Sequence, residues 1–437
     1  MRAKTAVTSA FQGFFVDMVD VYVAIIALTP ALRYFLPGNL SPRTATVLTS
    51  LLLVATLLGR PLGSAIFGTL ADLRGRRAVT LVSVAGFGVL TLAIALLPGY
   101  ATWGVWAPAT LIVLRFVSGI FLGGEYSASF PLALEYTAPA RRGFVGALVT
   151  SAYPLAYVFV SLVVLITLQF APASGDAAPY TQWGWRIAFV VGALLAFAFL
   201  TYRWRSLPES DAWLAAARTE GNRPAFRDFL QRGVLVGFAR MTLLMTGVWM
   251  GSLTAIGILP AQLIGTFHIP ATTVTTAQLL TFAIIFVLYI AGGVLAERIG
   301  RRRYLIVAGV VIGLVAGALY GVFQGASGMS DTARLTLAGL IMLLTLLPFS
   351  VVTTYINEQF DTTVRSRGFG ISYGFALIFG SLYSFYMLGL GQIMPYQQTG
   401  TVLIVVSGVL IVVGAALTRR GSATSTEQAP LEQGVHS

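Results

Sequence analysis

The chain is predicted to be an all-α membrane protein of twelve transmembrane helices in two pseudo-symmetric six-helix bundles, and three observations predict it. Of its 437 residues, 57% are hydrophobic and only 10% charged, where soluble domains carry roughly 25% charged residues. The apolar residues fall into runs long enough to cross a bilayer, which takes about 20 residues each. A short basic motif also recurs at one fixed offset in the two halves.

The runs lie at 11–36, 46–71, 78–98, 106–134, 144–170 and 184–202, and then at 234–264, 272–296, 304–325, 333–356, 368–393 and 399–418. The organisation that follows is an N-terminal bundle over 1–202, a linker on the cytoplasmic surface over 203–232, a C-terminal bundle over 233–418 and a disordered cytoplasmic tail over 419–437. Met1–Ala10 is too short and polar for a cleaved signal peptide, so the first span is expected to target the chain to the cell membrane.

Basic residues orient the spans. With the N-terminus in the cytoplasm, 21 of the 28 Lys and Arg residues fall on the cytoplasmic side and 4 (Arg33, Arg43, Arg186 and Arg334) on the outer side. Such a bias sets topology, and the reverse orientation breaks the rule at every loop. Both termini are therefore expected in the cytoplasm, and the loop Ala171–Gln182 outside.

The halves repeat. Asp72-Leu-Arg-Gly-Arg-Arg77 follows the second run and Glu297-Arg-Ile-Gly-Arg-Arg302 the eighth. Gly75 and Gly300 lie 225 positions apart, as do Gly143 and Gly368, each of which follows an arginine after the fourth or tenth run. Two loops at one offset argue for a duplicated six-helix unit, an arrangement that suits a binding site between the halves.

Composition also limits the chemistry. There is no cysteine, and the two histidines, His268 and His436, are far apart, so neither a thiolate or histidine metal centre nor a Ser-His-Asp triad has material to draw on. No metal, cofactor or enzymatic activity is expected. The net charge of +12 is spread as punctuation between apolar runs and forms no patch for nucleic acid. The expected partners are a small-molecule substrate, protons and the lipid bilayer, with the protein a monomer. A receptor would need an attached soluble domain.

Few ionisable residues lie well inside the runs: Asp17, Asp20, Arg60, Arg115 and Glu125, with Arg240 at the margin. Each is costly in hydrocarbon and is expected to face an opposite charge or an aqueous cavity. Asp17 and Asp20 share a helix face and lie roughly 10 Å and 15 Å deep at about 1.5 Å per residue. Arg60 falls near the depth of Asp17, and Arg115 near Asp20, with Glu125 closer to the cytoplasm. Three carboxylates then face two guanidiniums in the N-terminal half, leaving one carboxylate to gain and lose a proton. The alternative is that all five form a fixed network joining the first, second and fourth helices. Asp17, Asp20 and Glu125 are the candidates for the proton, with Asp20 or Glu125 first and Asp17 assigned to Arg60. Arg115 either pairs with Asp20 or presents its fork to a substrate carboxylate.

The stretch Gly59–Arg77 (GRPLGSAIFGTLADLRGRR) resembles the signature loop of the major facilitator superfamily. Gly13–Tyr22 (GFFVDMVDVY), Arg115–Tyr126 (RFVSGIFLGGEY), Glu135 through Gly143 and Trp183–Ile187 (WGWRI) are similar to the first helix, the fourth helix, its following loop and the start of the sixth helix in the metabolite–proton symporter family. Asp17 stands where Glu is usual, and Met18-Val19 where aromatics are usual. The resemblance implies the major facilitator fold and proton-coupled uptake of a small organic metabolite by alternating access, in a family that carries dicarboxylates, shikimate, proline and betaine, or aromatic acids. A facilitator or an exporter of the same fold is the second reading.

Polar-tipped residues within the apolar runs are candidates for the substrate cavity: Tyr22, Tyr157, Trp249, Gln262 and Tyr289, beside Arg115, with Tyr126, Tyr153 and Tyr383 as further choices. The resemblance ranks Tyr22 and Tyr157 first. Asp72, Gly75, Arg76, Arg77, Glu135 and Arg142 are expected to form a cytoplasmic gate, beyond their share in positive-inside anchoring. Gly59/Gly63 and Gly119/Gly123 are spaced for close helix packing.

Overall fold

In a computed structural model of the chain, twelve helices among the described residues are long and apolar enough to span a bilayer: α1 (Lys4–Ala27), α2 (Ser50–Phe67), α3 (Arg77–Ala95), α4 (Trp106–Glu125), α5 (Arg142–Phe170), α6 (Tyr180–Arg205), α7 (Val234–Gly265), α8 (Ala271–Ile299), α9 (Arg301–Gly325), α10 (Asp331–Glu358), α11 (Gly368–Leu390) and α12 (Tyr396–Ala416). The structure describes residues 2–38, 40, 42–74, 76–135, 137–138, 141–173, 178–206, 232–325, 328–360 and 365–418. The expected linker beyond Ser206 and the expected tail from 419 lie outside them. Among the described residues there is no strand, as the apolar runs predict.

Leu194, Val287, Leu314 and Val409 sit in mid-helix and are 62%, 61%, 71% and 54% exposed. A continuous apolar exterior of this kind is untenable in water and natural in lipid. Inside the first bundle, α2 and α4 meet backbone to backbone. A Cβ on Gly59 or Gly63 would run into the carbonyl oxygens of Phe116 or Ile120, and one on Gly119 or Gly123 into those of Thr56 or Arg60. The two glycine pairs read from sequence thus face each other, and any side chain there would part the helices. In the second bundle α7 and α9 both pack on α12.

The halves touch along α5 against α8 and α10, and along α2 and α4 against α11. Helices that form or border this seam are interrupted, α1 and α10 among them. A π-turn over Val23–Ala27 follows Tyr22 in α1. In α10, Pro348 parts the segments Asp331–Leu346 and Phe349–Glu358, because proline offers no N–H to the helix. Such breaks re-aim the side chains beside them.

The repeated motif does one job twice. Arg77 donates to the Trp204 carbonyl at 2.7 Å near the end of α6. Its counterpart Arg302 donates to the Ala415 and Ala416 carbonyls at 2.9 and 2.6 Å at the end of α12. Each guanidinium satisfies carbonyls that a helix terminus leaves open and meets the negative end of its dipole. Gly300 takes φ +90°, the left-handed region that glycine enters without steric cost; its partner Gly75 lies outside the described residues.

One boundary moves. The polar stretch beginning at 203 reads as linker, yet the helix carrying α6 continues to Ser206, and Arg203 is 2% exposed. Arg203 belongs to the N-terminal bundle.

Candidate functional site

Among the described residues, three buried ion pairs lie inside the N-terminal bundle. Arg60 of α2 donates to Asp17 Oδ1 at 2.5 Å. Arg115 of α4 donates to Asp20 Oδ2 at 3.2 Å and also lies 3.4–3.5 Å from the Asp20 carbonyl, while Thr91 of α3 donates to Asp20 Oδ1 at 2.5 Å. Arg203 of α6 donates to Glu125 Oε2 at 3.0 Å and to the Ser9 carbonyl of α1 at 3.0 Å. All six charged residues are 2% exposed or less.

This corrects the count of three carboxylates against two arginines. Arg203 is the third arginine, so Asp17, Asp20 and Glu125 each have a partner and the set of six is neutral when all are ionised. The sequence missed it because Arg203 stands first in a row of basic residues after an apolar run, where a solvated place is the default. The packing signal is Gly13: a Cβ there would collide with Glu125 Oε1 and Arg203, so the α1 glycine makes room for the pair.

The pairs are not equally satisfied. Asp20 holds hydrogen bonds on both oxygens, whereas Asp17 Oδ2 has no partner among the described residues; the Nε atoms of Arg60, Arg115 and Arg203 lack one alike. Asp17 is within electrostatic reach of both Glu125 and Asp20. Asp20 and Tyr22 lie two residues, about 200°, apart around α1, so the Asp20–Arg115 pair is buried in the N-terminal bundle on the opposite face of α1 from the rings that line the seam. Arg60, by contrast, lies within electrostatic reach of the Tyr153 hydroxyl.

Aromatic rings fill the middle of the seam. Tyr22 of α1 meets Tyr153 and Tyr157 of α5 edge-on at 5.3 and 4.9 Å. Tyr157 stacks on Phe282 of α8 at 3.6 Å with planes 7° apart, and its hydroxyl donates to Gln278 Oε1 at 2.5 Å. Tyr153 stacks on Phe349 of α10 at 5.4 Å. Farther toward the basic end, Phe130, on the extension of α4 to Glu135, stacks on Phe369 of α11 at 5.5 Å. Each stacked pair joins one half to the other. Trp249 of α7 packs on Phe349 and Tyr373 and donates to the Tyr373 carbonyl at 3.3 Å. Tyr289 of α8 is fully buried, within electrostatic reach of the Tyr153 and Tyr373 hydroxyls, and its own hydroxyl has no partner among the described residues.

The structure thus brings Tyr22, Tyr157, Trp249 and Tyr289 together, with Tyr153 among them. Gln262 stands apart: it accepts from Tyr320 at 3.2 Å and Gln324 at 2.7 Å of α9, inside the second half at the end of α7 away from the basic loops. Gln278, Phe282 and Phe349 were not singled out from sequence, because one amide and two phenylalanines in apolar helices are indistinguishable there from packing.

At the basic end, Glu297 of α8 accepts from the Gly143 backbone N–H at the start of α5, at 2.7 Å. A carboxylate of one half thereby caps a helix of the other. Glu297 also faces Arg301 at 3.7 Å, and Arg301 holds Glu358 at 2.9 Å. Of the expected gate, Arg142 donates to the Thr137 carbonyl at 3.3 Å and Arg77 caps α6. Gly75 and the side chains of Asp72, Arg76 and Glu135 lie outside the described residues. Glu297, the repeat counterpart of Asp72, was legible through the 225-residue offset alone. Among the described residues no cluster of His, Cys, Asp and Glu could hold a metal ion.

Residues 5–232 match the family described as sugar (and other) transporters. The chain is 30% identical over 406 residues to the α-ketoglutarate permease of Escherichia coli, covering 90% of this chain and 88% of that one. It is 27% identical over 395 residues to the citrate–proton symporter of Salmonella typhi, with 87% and 86% covered, and 26% identical over 408 residues to the proline/betaine transporter of Escherichia coli, with 87% and 76% covered. The fold matches the partially occluded, inward-open xylose transporter of Escherichia coli with a TM-score of 0.74 at 16% identity, over 95% and 96% of the two chains. These relatives are transporters, not enzymes, and the twelve spans make this chain a multi-pass membrane protein. On the match over its first half and the likeness to the permease over nearly its whole length, the chain belongs to the sugar (and other) transporter family, within the major facilitator superfamily.

Proposed function

We propose that the protein carries a small organic metabolite, a carboxylate or a zwitterion, together with a proton, by alternating access to one site between the halves, with both termini in the cytoplasm. The observation that carries this reading is the set of three buried ion pairs in one bundle. The set is neutral with its carboxylates ionised. A proton on any one of them leaves a net positive charge in a dry interior, and an uncompensated buried charge costs several kcal/mol. An incoming anionic group cancels it. Proton and anion therefore favour each other's binding, which is the reciprocal coupling a symporter needs.

Asp17 is the first candidate for the proton, reversing its assignment from sequence. It is held by one hydrogen bond where Asp20 has bonds on both oxygens, and a carboxylate with few bonds to its charged form gives that form up most readily. Arg60, freed when Asp17 is neutral, borders the aromatic seam and can meet a substrate carboxylate. Arg115 serves as counter-ion to Asp20. The Glu297–Gly143 contact closes the basic end, and its release opens that side.

The relatives' own names include an α-ketoglutarate permease, a citrate–proton symporter and a proline/betaine transporter, a range that supports the substrate class. The test is uptake by cells expressing the protein, assayed with candidate carboxylates and betaines in acidic medium. Symport gives accumulation that collapses with an uncoupler; equilibration indifferent to the uncoupler would leave the facilitator reading.

A further inference from the structure

Among the ring pairs that bridge the halves, Tyr157 and Phe282 differ from the rest. Their centroids are 3.6 Å apart and their planes within 7°, a nearly eclipsed sandwich. Aromatic pairs favour offset or edge-on arrangements at 4.5–7 Å, because two like quadrupoles repel face to face. The other bridging stacks, at 5.4 and 5.5 Å, lie in that favoured range. So the packing of the halves, and not ring attraction, holds Tyr157 on Phe282.

A polar group at the edge of the sandwich is left wanting. Gln278, one turn before Phe282 on α8, is 6% exposed. Its Oε1 takes the Tyr157 hydroxyl, but its Nε2 has no partner among the described residues. A buried donor without an acceptor is destabilising.

We propose that Tyr157 and Phe282 are the two walls of a substrate slot that takes a flat, conjugated organic acid. The proposal rests on the transport reading and names the substrate class of the same site. Parting the rings by the thickness of one conjugated ring replaces a disfavoured sandwich with two stacks. A ring conjugated to a carboxylate is flat and can lie offset-stacked against both Tyr157 and Phe282. The Gln278 amide supplies the missing hydrogen bond to an acceptor on the ligand. A puckered saturated ring of the same size is too thick to lie against both walls at once.

The probes are benzoate and cyclohexanecarboxylate, which share a carboxylate and six ring carbons and differ in flatness. In calorimetric titrations of the purified protein, benzoate is expected to bind at least about fivefold more tightly, the worth of a stacked aromatic pair. Phe282→Leu should bring the ratio close to one, and Phe282→Trp, which keeps a flat wall, should preserve it. Equal affinities in the unaltered protein, no binding of benzoate, or a ratio unmoved by Phe282→Leu would each overturn the slot. The outcome separates from coupling: a flatness preference without pH-driven uptake sinks coupling and keeps the slot, and pH-driven uptake without that preference does the reverse.

Discussion

Arg203 on α6 and Glu125 on α4 form a buried ion pair at 3.0 Å, and the same guanidinium holds the Ser9 carbonyl of α1. One side chain thus ties three helices of the N-terminal bundle together and completes its charge balance.

That tie gives the first prediction. Removing one partner of a buried pair strands the other and costs about 3–5 kcal/mol. Arg203→Leu should lower the melting temperature and folded yield in detergent, while the double change Arg203→Leu with Glu125→Leu should recover most of the loss. A single change that melts like the unaltered protein would show that the pair bears no load.

The second prediction concerns the gate. Glu297→Gln removes the charge that caps α5 across the halves, and hydrogen bonds to charged groups contribute about 1.5–3 kcal/mol. Thr354 of α10 lies against Gly146 of α5 at this end and is 1% exposed. In a Thr354→Cys background, Glu297→Gln should raise the labelling rate from the cytoplasmic side about tenfold, because 1.4 kcal/mol is a factor of ten in population. An unchanged rate would remove Glu297 from the gate.

Orientation is the third. Gln392 is exposed in the turn between α11 and α12, which the split of basic residues assigns to the outside. The chain has no cysteine of its own, so Gln392→Cys in intact cells should react with an impermeant maleimide. Reaction only in inverted vesicles would reverse the topology.

The spans and the duplication were legible because each is written in one dimension: run lengths in the apolar pattern, and the 225-residue offset in Gly75/Gly300 and Gly143/Gly368. The pairing of Asp17 with Arg60 and Asp20 with Arg115 follows from depth, since helices of known direction put like depths side by side. Depth says nothing about which helix turns toward which. Arg203 therefore passed for linker, and Gln262, of the right chemistry, points to α9 instead of the seam. Phe282 and Phe349 matter only through partners on another half, which no local pattern encodes.

The central claim is that a buried carboxylate of the N-terminal bundle takes up the transported proton. The most direct measurement sets Asp17→Asn, Asp20→Asn and Glu125→Gln side by side in proteoliposomes, reading substrate exchange and accumulation driven by a pH gradient. An amide mimics the protonated acid, so the coupling variant should still bind and exchange substrate but lose uphill uptake. Asp17→Asn is expected to show this more cleanly than Asp20→Asn, having fewer hydrogen bonds to lose. If all three variants keep full pH-driven accumulation, the proton does not travel on these carboxylates and the account is wrong.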